Sequence, residues 1–448
     1  MKTWIKTQMV VNANGTVPHG NILIEDEKIV AVTTEDLSSQ ADRVIHMEDK
    51  IAFPGAIDSH SHLNDPGLTN SEDFYTGTCS AAAGGITTVL EHPLTVPVTA
   101  TEKAFLDKKQ ELEKKVVVDA GLWAAALPDS IPNIPRLKEL GAIAFKSFLS
   151  YSCEIPSVNL GQLMNAMQAV RACGSLLAVH CENQDIIDAC EAPYRAKEKP
   201  LWEDFAKGRA PIAERVAAQD VILLAKETGA KVHLVHTSLP DIVESGWQAR
   251  QEGYAVCVET CPHYLTLTSE ALNTHKQLAV CAPPMRSQSD VDEMWKKLAE
   301  GKISFIGSDH AAYTLEEKAF DNVFDVPCGV TGIQTMIPLL YSEIVAKRGM
   351  DPCLIPQLTA ENTAKWFGLY PKKGCIAPGF DADMYFIDPK ASWEITPESL
   401  HYMIPWTPYM GWKLQGRITC TMVRGNVVFE NGTITAKPGS GKFVTPLL

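Results

Sequence analysis

The sequence has no run of Lys and Arg, and its 40 basic residues are outnumbered by 54 acidic ones, a formal net charge of −14. Nucleic acid and anionic membranes both need a basic patch, so neither is expected as a partner. No apolar stretch reaches 18 residues, and the N-terminal MKTWIKTQMVVNANG lacks a signal-peptide core. The expectation is a cytoplasmic protein. CxxC pairs are also missing. The nearest two of the twelve cysteines, Cys257 and Cys261, lie in an apolar, strand-like run. That argues against a disulfide framework or a cysteine metal knuckle and for reduced packing residues. Internal repeats and low-complexity tracts are absent as well.

What is present is a chain of 448 residues, 45% hydrophobic and 21% charged. Those values describe a globular protein, and the length suits one large barrel with a smaller companion. The two ends read alike. NILIEDEKIVAV and VNANGTVPHG near the start, and DADMYFID and ITCTMVRGNVVFENGTI near the end, are short strands around turn signals. Between them, strand-length apolar runs alternate with charge-rich helical segments. The runs are ITTVLEH, VDAGLWAAA, IAFKSFL, LLAVHCE, VHLVHTS, AVCVETC and ISFIGSD. EKAFLDKKQELEKK is one helix, and APIAERVAAQDVILLAKETGA is another, capped by Gly229. Parallel βα units at this spacing predict an α/β fold, a (β/α)8 TIM barrel, with a doubly wound sheet as the alternative. The predicted division is a strand-rich part at 1–52, the barrel at 53–369 and a second strand-rich part at 370–448.

The unusual side chains fall at the ends of these runs. In GAIDSHSHLNDPG, His60 and His62 are two residues apart and share a strand face. His180 ends SLLAVH, His236 ends KVHLVH and Asp309 ends ISFIGSD, while Lys146 sits in the apolar GAIAFKSFL. In a barrel those ends converge on one rim. Four imidazoles and a carboxylate form a divalent-metal site best suited to Zn²⁺. Burial lowers the pKa of a lysine, and a neutral amine can take up CO₂ as a carbamate that bridges two ions. His46, His233 and His275 read as core histidines.

The chain resembles the amidohydrolase superfamily, and within it the cyclic amidohydrolases: hydantoinases, dihydropyrimidinases, allantoinases and dihydroorotases. The residues that carry the resemblance are GAIDSHSHLNDPG, TGTCSAAAGGITT, FKSFLSY, HCEN, VHLVHTS, ETCPHYLTL, CAPPMR, GSDHA, GIQTMIPLL, KKGCIAPGFDADMYFID and TPYMGWKLQGRI. The resemblance implies His60 and His62 on one zinc, His180 and His236 on the other, and a carboxylated Lys146 bridging the two. Asp309 would complete the first site and move a proton. It also implies a β-sandwich domain built from both chain ends, 1–52 and 370–448, and a homotetramer or homodimer, in which the C-terminal arm GKFVTPLL would suit packing on a neighbour.

Within the group, dihydroorotases usually read HxHxR, with Arg gripping the substrate carboxylate. Asn64 holds that position here, which argues against dihydroorotase. LNDPG and ETCPHYLTL look like allantoinase, whereas PLTVPVTATEKAFLDKK and SGKFVTPLL look like L-hydantoinase. Tyr151 matches the tyrosine that binds the ring carbonyl, and Ala282 and Cys328 match positions whose main chain holds the ring. His92 stands where the group usually carries an apolar Met. It is a candidate for the substrate pocket, and His263 and His310 are candidates for contacts just outside it. The resemblance thus implies a hydantoinase or dihydropyrimidinase, a hydrolase of cyclic amide C–N bonds. Allantoinase is the alternative, and a dihydroorotase or an inactive scaffold lies further off.

Overall fold

The computed structural model describes residues 1–151 and 155–447. Eight parallel strands form a barrel: β1 (Ala56–His62), β2 (Ile86–Glu91), β3 (Asp119–Leu122, continued by Ala124–Ala125), β4 (Phe145–Phe148), β5 (Leu176–His180), β6 (Lys231–Leu234), β7 (Val256–Thr260) and β8 (Phe305–Ile306). Each pairs with the next. The ring closes where His310–Ala311, just past β8, pairs with Ser61 and His62 of β1. Strands such as β5 are buried on both faces, which is why they read as unbroken apolar runs.

The helices between them are locally specified. Glu102–Lys115 opens at Thr101, whose hydroxyl accepts the Ala104 N–H, and it has Glu102 in its first turn and Lys114 and Lys115 in its last. Pro211–Thr228 stops at Gly229, whose φ of 67° is left-handed.

Both chain ends build the β-sandwich, hydrogen-bonded as one nine-stranded sheet. They meet where Arg43–Pro54 pairs antiparallel with Met384–Glu394. Its core mixes Ile5, Ile22 and Ala52 with Met384, Phe386 and Met422. A buried ion cluster ties it to the barrel: Lys373 Nζ reaches Asp119 Oδ2 (2.7 Å) and Asp383 Oδ2 (2.5 Å), and Arg424 pairs with Asp119. The C-terminal arm packs on its own chain. It runs back along β3, where Val444 N–H donates to Ala120 O (2.9 Å), and Val444 packs with Leu90, Trp123 and Phe367. Val444 is buried there, while Leu447 is 46% exposed.

Among the described residues no helix is long and apolar enough to cross a membrane. Cys153 lies outside the described residues, and the other eleven cysteines are thiols, seven of them buried.

Candidate active site

The barrel brings its C-terminal strand ends together around a cavity of about 600 Å³. His60, His62, Lys146, His180, His236 and Asp309 all line it. His60 and His62 end β1, Lys146 lies in β4 and His180 closes β5. The other two differ from the strand-end reading. β6 stops at Leu234 and β8 at Ile306, so His236 and Asp309 lie just beyond their strands. Both have left-handed backbones, with φ of 35° and 47°. Such a conformation is costly for a residue with a Cβ and persists only where surroundings enforce it. Here His236 N–H donates to Glu259 Oε1 (3.0 Å), and Asp309 N–H donates to His60 O (2.9 Å).

Two clusters result. His60 Nε2 and His62 Nε2 lie 3.2 and 3.5 Å from Asp309 Oδ1. His180 Nδ1 lies 3.0 Å from His236 Nε2. Lys146 is 1% exposed, its Nζ 5.1 Å from the Phe148 ring centre. Burial pushes its ammonium down to about 8, even with Glu259 and Asp309 pulling the other way. Burial likewise takes His60 down to about 4 and lowers His180 and His236. These imidazoles are therefore neutral near pH 7, with a lone pair to offer. Burial alone would raise Asp309, but His60, His62 and His236 outweigh it and hold the carboxyl well below its ordinary range.

Two buried carboxylates choose which lone pair is offered. Glu259 Oε1 sits 2.8 Å from His60 Nδ1, and Glu182 Oε2 sits 2.8 Å from His180 Nε2. A carboxylate accepts a hydrogen bond, so the nitrogen it faces keeps the ring proton. That leaves His60 Nε2 and His180 Nδ1, the two nitrogens turned into the cavity, as ligand atoms. Neutral nitrogens 3.0 Å apart, a carboxylate between two imidazoles and a deprotonatable lysine fit a pair of divalent ions. Glu259 also accepts from Ser59 Oγ (2.7 Å), and Arg209 grips Glu182 at 3.2 and 2.7 Å. Sequence reasoning assigned no role to Glu182, Arg209 or Glu259. The signal was there: Glu182 shares a face with His180 two residues back, and Glu259 is an acid inside an apolar strand.

Tyr151, Asn64, Ala282 and Cys328 also line the cavity. Tyr151 is 67% exposed, and its main-chain N–H donates to Gln184 Oε1 (2.8 Å). The Asn64 amide donates to Ser71 Oγ and Ala312 O, both at 3.1 Å, so its N–H groups are committed to the loop. His92 corrects the expectation of a pocket residue: it does not line the cavity but lies beneath His60, 0% exposed. The cause is depth, since His92 follows Glu91 at the end of β2 and its ring packs between His60 and Trp123. His263 is buried beside Cys261 and Asp309, and His310 accepts Gly332 N–H (3.2 Å) and faces Glu72. Of the three expected core histidines, His233 is buried, near Glu259 (3.3 Å), and His275 is half-buried. His46 corrects that expectation, being exposed on the sandwich beside Glu48.

Convergent imidazoles, a buried lysine and an aspartate form a candidate metal site at the C-terminal rim of the barrel, where barrel enzymes carry their active sites. The chain belongs to the amidohydrolase family, whose pattern matches residues 51–428. It is 32% identical over 446 residues to the L-hydantoinase of Paenarthrobacter aurescens, covering 98% of this chain and 97% of that one. It is 34% identical over 420 residues to the allantoinase of Deinococcus radiodurans, covering 93% of each. The solved L-hydantoinase (dihydropyrimidinase) from Arthrobacter aurescens superposes with a TM-score of 0.96 at 32% identity, covering 99% of each chain. A D-hydantoinase crystal structure gives 0.93 at 29% identity. The chain is accordingly a hydrolase acting on cyclic amide bonds.

Proposed function

We propose that this chain is a binuclear-zinc hydrolase that opens an uncharged cyclic ureide ring of the hydantoin or dihydrouracil kind. The observation that carries the reading is the pair of clusters, His60–His62–Asp309 and His180–His236, which line one cavity together with Lys146. His60, His62 and Asp309 would hold one zinc, His180 and His236 the other, and a carboxylated Lys146 would bridge them. When bound, the two ions supply Lewis acidity and a water that is deprotonated near neutral pH. Asp309 takes the proton of the attacking water and delivers it to the ring nitrogen as the C–N bond breaks. Tyr151 donates its hydroxyl to the oxygen that becomes negative. The main chain at Ala282 and Cys328 holds the ring, and the product is an N-carbamoyl amino acid or a close relative.

Charge in the cavity supports a neutral ring. Its lysine and arginine side chains are Lys146 and Arg209, and Arg209 is already paired with Glu182. A ring carboxylate needs a cation, best a bidentate Arg, and Asn64 offers none. The test is a ring-opening assay on hydantoin, 5-substituted hydantoins, dihydrouracil, allantoin and dihydroorotate. Turnover of hydantoins with inert dihydroorotate is expected. Dihydroorotate as the best substrate would overturn the reading, and efficient allantoin turnover with inert hydantoins would make the chain an allantoinase. We further propose a cytoplasmic homotetramer or homodimer, readable by sedimentation.

A further inference from the structure

His92 is a buried ring that the proposed chemistry does not use, packed in a column between His60 and Trp123. Its ring lies flat on that of His60, centroids 3.8 Å apart and planes 4° from parallel. Trp123 packs against it at 4.5 Å. The backbone of His92 is pinned: its N–H donates to Ser61 O (3.0 Å), and buried Lys108 donates to its carbonyl (2.7 Å). Neither ring nitrogen has a hydrogen-bond partner among the described residues. One of those nitrogens lies within 4.8 Å of a ligand nitrogen of His60 and of His62.

Three nitrogens so close suggest a third ligand, but the stacking forbids it. Imidazole lone pairs lie in the ring plane. An ion in the plane of His60 is displaced by a full stacking distance from the parallel plane of His92, whose lone pairs point past it. What His92 presents to His60 is its face. An imidazole that gives electron density to a cation becomes electron-poor, and the face of a neutral aromatic ring attracts it.

We propose that His92 is a positioning residue for the metal centre: its ring face, backed by Trp123, holds the His60 imidazole so that Nε2 stays turned to Asp309 and to a shared ion. The proposal rests on the two-metal reading above. The property used is flatness, not the nitrogens.

The experiment is metal release from the full-length, zinc-loaded protein to a chromogenic chelator, with wild type, His92→Met and His92→Phe compared. His92→Met removes the flat face and should speed one release phase by about tenfold or more, the usual scale for losing a residue that supports a ligand. The other phase, from His180 and His236, should keep its wild-type rate. His92→Phe keeps a flat ring without nitrogens and should release both ions as wild type does. The absorption spectrum of the cobalt-substituted enzyme should change in His92→Met and not in His92→Phe. Loss in His92→Phe as fast as in His92→Met would overturn the proposal, because the nitrogens would then matter. Unchanged release from His92→Met, or equal acceleration of both phases, would overturn it too. Should His92→Met fail to fold, the cobalt spectrum of His92→Phe decides: altered, it refutes the proposal, and unaltered, it supports it. A wild-type chain that holds no metal would overturn the two-metal reading and this proposal with it.

Discussion

His60 Nδ1 stands 2.8 Å from Glu259 Oε1, a contact made across 199 residues of chain. Glu259 also takes the Ser59 hydroxyl and the His236 N–H. One buried carboxylate thereby ties a ligand of each proposed zinc. Burial would raise Glu259, but His60 and His233 overcome it and keep the group ionised. Glu259→Gln preserves shape and removes the charge. Zinc affinity should drop on the order of 10–100-fold, measured by competition with a graded series of chelators. An affinity equal to wild type would show that the carboxylate does not set the His60 proton.

Lys146→Ala removes the proposed anionic bridge. Four neutral imidazoles and Asp309 cannot balance two divalent ions, so the variant should lose most bound metal and nearly all turnover. Elemental analysis of the purified protein checks the first and a hydantoin assay the second. Full metal occupancy with normal turnover would remove the carbamate from the scheme.

Asp309→Asn can still offer an oxygen but is a poor base. The variant should fold, keep part of its metal and lose about 10²-fold or more in kcat, the scale of general acid–base catalysis. A near-normal rate would send the proton by another route.

Tyr151→Phe deletes one hydroxyl from a residue that lines the cavity. If that hydroxyl donates to the developing oxyanion, kcat should fall by about 10²–10³-fold while KM changes little. A rise in KM at constant kcat would instead make Tyr151 a binding residue for the ground state.

Arrangements that depend on near neighbours in the chain are legible in the amino-acid order itself. Two histidines at i and i+2 must share a strand face, so the pairing of His60 with His62 follows from spacing alone. The alternation of strand and helix announces parallel βα units, and the likeness of the two ends announces a strand-rich unit at each, because hydrophobic period is local. Glu182 is within reach of the same rule, two residues after His180. What the chain alone leaves undecided concerns depth and distance. His92 reads as a pocket residue from its place after β2, yet its ring points beneath His60. That the C-terminal arm runs along β3 of its own barrel is likewise set by contacts between distant parts of the chain. Glu259 meets His60 only when the barrel closes, and Arg209 meets Glu182 only when the segment after β5 folds back on the strand end. The physical reason is that strand and helix periods follow from bonds along the chain. Which nitrogen keeps its proton, and which ring lies under which, follows from atoms brought within about 3–4 Å by packing across the barrel, and no local pattern encodes that.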